Sequence, residues 1–371
     1  MADTGVVVVG AGVVGLSVAA RLAPEHPGLV VLDRNPRHGM ETSSRNSQVV
    51  HAGIYYPLGS LKAILCVEGR DRLYDFCRRH GVPHAKPGKL ITATDPRELP
   101  ALDALEAKAR ANGVPLERLS AAQAHALEPG IRSAGALLSP ESGIVDVHAL
   151  MDRLLTRALD AGAVFVPRTN VVGIERVAGG YEVSCEGAAG VEAIAAERVV
   201  NAAGLEADRI ASLAGIDPDS AGYRLHWCKG SYFSASPRCA RLVSRLVYPM
   251  PGSDSLGVHA VLDLGGRLRF GPDVEYLPDR RTDYRVDPAR RDAFAAAARR
   301  ILPDVRDDDL EPDISGIRPK LQAPGGPFRD FVVAEESARG LPGFVDLIGI
   351  ESPGLTAAPA IAERVAALVR G

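Results

Sequence analysis

VVVVGAGVVGLSVAARLA, residues 6–23, runs from four β-branched residues through glycines spaced G-x-G-x-x-G into a stretch of helix formers. Val6 to Val9 read as a buried strand, and the residues after Gly15 as a helix. Each glycine has a separate task in such a unit. Gly10 allows the tight turn, Gly12 lets a pyrophosphate approach the backbone, and Gly15 lets helix and strand pack closely. The helix start then offers free N–H groups and the positive end of its dipole to phosphate. A second strand, LVVLD (29–33), ends on Asp33, about 20 residues beyond the glycines, where a carboxylate can accept hydrogen bonds from a ribose diol. A glycine triplet alone is a weak signal. Strand, triplet, helix, strand and acid in that order point to a bound dinucleotide, without separating FAD from NAD.

A secretory signal is the competing reading of the same apolar run. No positively charged segment precedes it, only Asp3, and Gly10, Gly12 and Gly15 interrupt it. Nor does the chain contain an unbroken stretch of about 20 apolar residues that would span a bilayer. The run therefore reads as strand, turn and helix of a mature protein with no transmembrane segment.

With 371 residues, 46% hydrophobic and 24% charged, the chain has enough material for more than one domain. Lys plus Arg total 43 against 46 Asp plus Glu, a formal net charge of -3, so no bulk field favours nucleic acid or an acidic membrane. Five cysteines without a C-x-x-C pair (Cys66, Cys77, Cys185, Cys228, Cys239) argue against a disulfide framework and against a zinc site. The expectation is a reducing compartment, either the cytoplasm or the periphery of the inner membrane face, and no metal.

Three further segments look built for the same ligand. SSRNSQVVHAGIYY (43–56) gathers Ser44, Arg45, Asn46, His51, Tyr55 and Tyr56. Its basic and amide groups suit phosphate oxygens, and Gly53 would let a flat ring approach the backbone. RVVNAAGLEAD (198–208) suits a strand returning to the first sheet and turning at Ala203 and Gly204. FVDLIGIESPGLTAAPAIAERVAALV (344–369) repeats the logic of strand, glycine turn and helix, with Gly354 and Leu355 in the turn, Thr356 as cap and Pro359 in the first helical turn. Elsewhere, residues 95–128 read as helical, with Ser120 and Gln123 forming a capping box. HALMDRLLTRALDAGA (148–163) and DPARRDAFAAAARRIL (287–302) read as further helices, and residues 223–277 as strands.

Taken together, VVVVGAGVVGLS, SSRNSQVVHAGIYYPLGSLKAILCVEG, KPGKLITAT, RVVNAAG, LHWCKGSYF, LGVHAVLDLGGRLRFGP, SGIRPKL and GIESPGLTAAPAIAERVA resemble FAD-dependent oxidoreductases of the D-amino-acid oxidase superfamily. Within it they are most similar to the L-2-hydroxyglutarate dehydrogenases and their bacterial relatives. The resemblance implies an α/β fold. A discontinuous Rossmann-like FAD-binding domain would take residues 1–85, 140–222 and 316–371, and a substrate domain on a mainly antiparallel sheet would take 86–139 and 223–315. It also implies noncovalent FAD held by Gly10, Gly12, Gly15, Asp33, Ser44, Arg45, Asn46, Ala203, Gly204, Gly354, Leu355 and Thr356, with residues 51–56 under the isoalloxazine ring.

The implied reaction needs a hydride acceptor, a base for a hydroxyl proton and a cation for a carboxylate. Flavin N5 is the acceptor, and histidine is the side chain that takes a proton near neutral pH. His259 is expected to be the base, His51 a flavin or substrate contact, and Arg318 the carboxylate anchor through its two-pronged guanidinium. Lys229 and Lys320 could meet a second carboxylate, with Tyr55 or Tyr56 closing the pocket. The substrate class implied is a small L-2-hydroxy acid; the alternatives are an amino or imino acid, or a flavin-binding protein without catalysis. Oxygen, a quinone or another flavoprotein could accept the electrons. The chain departs from the family's usual pattern at Lys229 and Ser231, where an arginine-glycine-glutamate segment is common, and at Ala260 and Val261 after GVH, where a threonine-proline type turn is common. The departures leave the oxidoreductase class standing and put the exact hydroxy acid in question.

Overall fold

The computed structural model describes residues 2–251 and 257–370. Two large sheets organise it. In the first, of eight strands, the strand Thr4–Val9 lies between Val30–Asp33 and Gly190–Asn201, parallel to both. Val164–Pro167 and Leu341–Ile348 extend the parallel part at either side. Helices Val13–Leu22, Val147–Asp160 and Gly354–Arg370 cover one face with a core around Leu16, Leu22, Leu150 and Val365. A second core around Tyr181, Ile210 and Phe344 covers the other. Coverage on both faces is why Val6 to Val9 form an unbroken apolar run instead of alternating.

The second sheet has nine strands and is mainly antiparallel, with His226–Ala235 paired to Leu310–Lys320 over most of their length. One pair breaks the pattern: Lys89–Ala93 runs parallel to Leu246–Pro249. The two strands lie far apart in sequence, so no hairpin fixes their direction. The helix Arg291–Ile301 packs Phe294, Ala298 and Ile301 on one face of this sheet. The other face carries Ile91, Leu246, Tyr248 and Val261 and meets Ile54.

A small three-stranded sheet of Val49–Val50, Gly143–Val145 and His84–Ala85 fixes the chain just before His51. Ser60 caps the following helix, Leu61–His80, by accepting from Ala63 N, and Gly81 ends it in the left-handed conformation. The capping box at Ser120 and Gln123 is present, both reciprocal bonds being made. At the C-terminus the expected cap is corrected. The helix begins at Gly354, so Thr356 is its third residue and Pro359 its sixth. The Thr356 hydroxyl is instead taken by the backbone N–H of His51 at 2.9 Å.

All five cysteines are buried and free. Among the described residues, no helix is long and apolar enough to cross a membrane, and no three His, Cys, Asp or Glu side chains cluster as metal ligands.

Candidate active site

A cavity of about 670 Å3 is lined by residues of both large sheets. Its glycine end is shaped by backbone crowding. Gly10 has φ of +105°, and a Cβ there would lie 2.5 Å from Ala202 O. A Cβ on Gly12 would lie 2.9 Å from Ser43 Oγ, the hydroxyl that accepts from Val13 N at 3.0 Å. Asp33 closes this end. It accepts from Ala11 N and Asn35 N, both at 2.8 Å, and a carboxylate with about four lone-pair sites has capacity left for a ribose. Arg45 stacks its guanidinium 3.9 Å over the Tyr284 ring, with its buried Nε unpartnered among the described residues. Asn46 holds the loop, donating to Ser43 O at 2.7 Å and accepting from Gln48 N at 2.8 Å. Ala203, Gly204, Gly354 and Leu355 also line the cavity. Glycine cradle, acid and a guanidinium with an unpartnered Nε fit a dinucleotide, and the volume is in the usual range for ligand sites.

Four of the expected cofactor contacts lie behind the wall. Gly15 packs on the turn, where a Cβ would fall 2.0 Å from Gly10 O. Ser44 turns back to donate to Glu41 O at 3.0 Å, and its neighbour Ser43 takes the lining position. Thr356 is fully buried against the His51 backbone. Gly53, at φ of +99°, abuts Val67 of the long helix and is absent from the lining. There it packs the turn closely against the helix.

At the other end the cavity is walled by His51, Tyr55, Tyr56, Tyr232, Tyr248, His259, Arg318 and Lys320. His259 stacks on Tyr248, with centroids 3.8 Å apart and planes 8° apart. His51 Nε2 lies 3.3 Å from Ser352 Oγ. Its pKa is held well below the ordinary histidine value, first by burial and then by Lys89 and His259. Neutral imidazole, the form that accepts a proton, is thereby favoured. Burial pushes the phenols of Tyr55 and Tyr56 up, so both are hydrogen-bond donors and not bases.

The cations depart from expectation in two ways. Arg318 spends its guanidinium on the protein: Nη2 donates to Asp273 O at 2.9 Å and Lys229 O at 3.1 Å, and Nε to Cys228 O at 3.3 Å. No described bond engages Nη1, so the side chain offers one prong to the cavity and not the expected two. Lys229 does not line the cavity at all, because its Nζ donates to Arg285 O at 2.6 Å. Lys320 does line it. Sequence reasoning passed over Tyr248, Tyr232, Ser352 and the Lys62–Glu351 pair, 2.9 Å apart and about nine-tenths buried.

The fold and this cavity define a flavin-dependent oxidoreductase. Residues 5–368 match the family of FAD dependent oxidoreductases, and the chain belongs to that family. It is 42% identical to the mitochondrial L-2-hydroxyglutarate dehydrogenase of Arabidopsis thaliana, across 97% of this chain and 82% of that one. It is 29% identical to the Caenorhabditis elegans protein of the same name, across 97% and 91%. Among solved structures it resembles the FAD-bound L-alpha-glycerophosphate oxidase of Mycoplasma pneumoniae, with a TM-score of 0.88, 24% identity, and coverage of 99% and 95%. At that identity the likeness concerns the fold.

Proposed function

We propose that the chain oxidises an L-2-hydroxy dicarboxylate of the L-2-hydroxyglutarate type to the 2-oxo acid. The observation that carries this reading is the pairing of two cations with two histidines around one cavity. Arg318 and Lys320 are two apart on the strand Leu310–Lys320 and so project to the same side, which provides one positive group for each carboxylate. The 42% identity to a dehydrogenase named for that substrate supports the choice. Bound FAD supplies the hydride acceptor.

The chain's own groups do the rest. Arg318 Nη1 and Lys320 orient the diacid, and the wall of tyrosines excludes water. His259 takes the hydroxyl proton as the carbonyl forms, while His51 holds its neighbours in place through Ser352. The enzyme works in the cytoplasm or peripherally at the inner membrane face, and passes electrons to oxygen, a quinone or another flavoprotein. Anaerobic bleaching of the flavin absorbance by a panel of 2-hydroxy acids and amino acids tests the reading. Fast bleaching by L-2-hydroxyglutarate supports it, and preferential bleaching by an amino or imino acid overturns it.

A further inference from the structure

Lys89 is a lysine of the second sheet that the reaction above does not use. It is fully buried in the strand Lys89–Ala93, all five residues of which are buried. Its Nζ has no hydrogen-bond partner among the described residues. It stands 4.0 Å over the Tyr248 ring and 5.6 Å from the Tyr55 ring, and the ring of Tyr248 is the one on which His259 stacks. The sheet order puts the strand of Tyr248 between those of Lys89 and His259. Lysine, tyrosine and histidine thus form one row leading to the cavity wall, and Lys89 itself stays behind that wall.

We propose that Lys89 is a positioning residue whose charge holds the two histidines neutral and so sets the pH below which the site stops accepting the substrate's proton. The proposal rests on the reading of histidine as the base. The titratable groups facing the amine are Tyr248 on the neighbouring strand, His51 and Tyr55 on the 51–56 segment, Cys66 on the long helix, and His259 beyond Tyr248. None is a carboxylate. Burial lowers the amine to about 7, so it gains its proton as the medium turns acid. Once charged, it repels a proton from His51, for which it is the largest electrostatic influence after burial.

The test uses the FAD-loaded protein with Lys89→Met and Lys89→Gln, two neutral replacements of similar length, and Lys89→Arg, which stays cationic. The rate of anaerobic flavin reduction is followed against pH, and the imidazole resonances of His51 and His259 are titrated by NMR without substrate. Either neutral variant should move the acid limb and the histidine titrations up by roughly one pH unit, the effect of losing a nearby like charge, and Lys89→Arg should leave both where the native protein has them. A folded, FAD-replete neutral variant with unmoved titrations and a uniformly lower rate would assign Lys89 a packing role and overturn the proposal. A native protein with no acid limb would overturn the histidine reading itself, and the positioning role with it.

Discussion

At the glycine end of the cavity the wall is backbone, and a single methyl at Gly10 or Gly15 would strike a carbonyl oxygen. At the histidine end the wall is side chains: an imidazole stacked on a phenol, a buried amine beneath it, and an arginine held by three backbone carbonyls. At Gly10 and Gly15 the first end tolerates no added volume, because the obstructing carbonyls belong to backbone that cannot turn aside. The second is sensitive to charge and proton position, because its groups are buried in a medium where either is costly to change. Damage at one end should therefore appear in FAD content, and damage at the other in the rate and its pH dependence.

The largest effect is expected at Gly15. Native protein should be yellow and release FAD on acid treatment. Gly15→Val should yield little folded protein and no bound FAD, because its Cβ would sit 2.0 Å from Gly10 O. Gly12→Val is the sharper comparison. Its nearest obstacle is the Ser43 hydroxyl at 2.9 Å, which can rotate, so this variant should fold and bind FAD weakly. Absorbance at the flavin band per mole of protein measures both. Equal FAD content in the two variants would break the distinction between a backbone wall and a side-chain wall.

Next comes the proton. His259→Ala should retain FAD and substrate binding yet reduce the flavin about two to four powers of ten more slowly, the usual contribution of a positioned base. Flavin reduction in the native enzyme should fall as acid protonates the base, and the His51 imidazole should titrate below the ordinary histidine value. His51→Ala is expected to disturb the flavin spectrum more than the rate. An exchange of the two phenotypes in stopped-flow absorbance would reverse the roles.

A smaller effect is expected at Arg318. Arg318→Lys keeps a cation but cannot reproduce the three carbonyl bonds that aim the guanidinium, so the charge should wander. Apparent KM for the hydroxy acid should rise about tenfold, with FAD content unchanged. An unchanged KM would pass the anchoring role to Lys320.

The glycine end was legible in the sequence because its causes are local. Strand, turn and helix follow one another within residues 4–22, and a spacing of three glycines encodes the crowding directly. One error there was of a single position, Ser44 for Ser43, since a turn's residue types do not say which hydroxyl faces inward, and Gly15 packs behind the turn and not against the cavity. The histidine end draws on residues near 51, 89, 248, 259, 318 and 352, and no spacing in the chain announces that they meet. Lys229 was misplaced for this reason: a lysine in a glycine-containing strand looks available until Arg285 O is found at its tip. Lys89 did carry a signal. A charged residue inside the fully buried run Lys89–Ala93 breaks the apolar pattern, and a buried cation without a counter-charge is costly enough to need a reason.

Asp346 tests the comparison through stability and not through activity, because a titrating group lies buried at the glycine end. It is fully buried beside Asn201, the residue that leads into Ala202 and Ala203, and accepts from Asn201 Nδ2 at 2.7 Å. Burial raises its pKa to about 8, with the Asn201 bond opposing and Glu336 adding to the rise. An unfolded aspartate titrates at about 3.9. A raised folded value means that the group's contribution to stability is full below about pH 4 and is lost as the pH climbs toward 8. Asp346→Asn keeps an acceptor for Asn201 and removes the titration. Between pH 5 and 8 the native Tm should therefore fall further than the variant's, by about 1–2 °C for each kcal/mol of stability lost in a chain of this size, with FAD content equal in both. Parallel melting curves across that range would show that Asp346 is ionised in the folded protein, and that the glycine end is governed by packing alone.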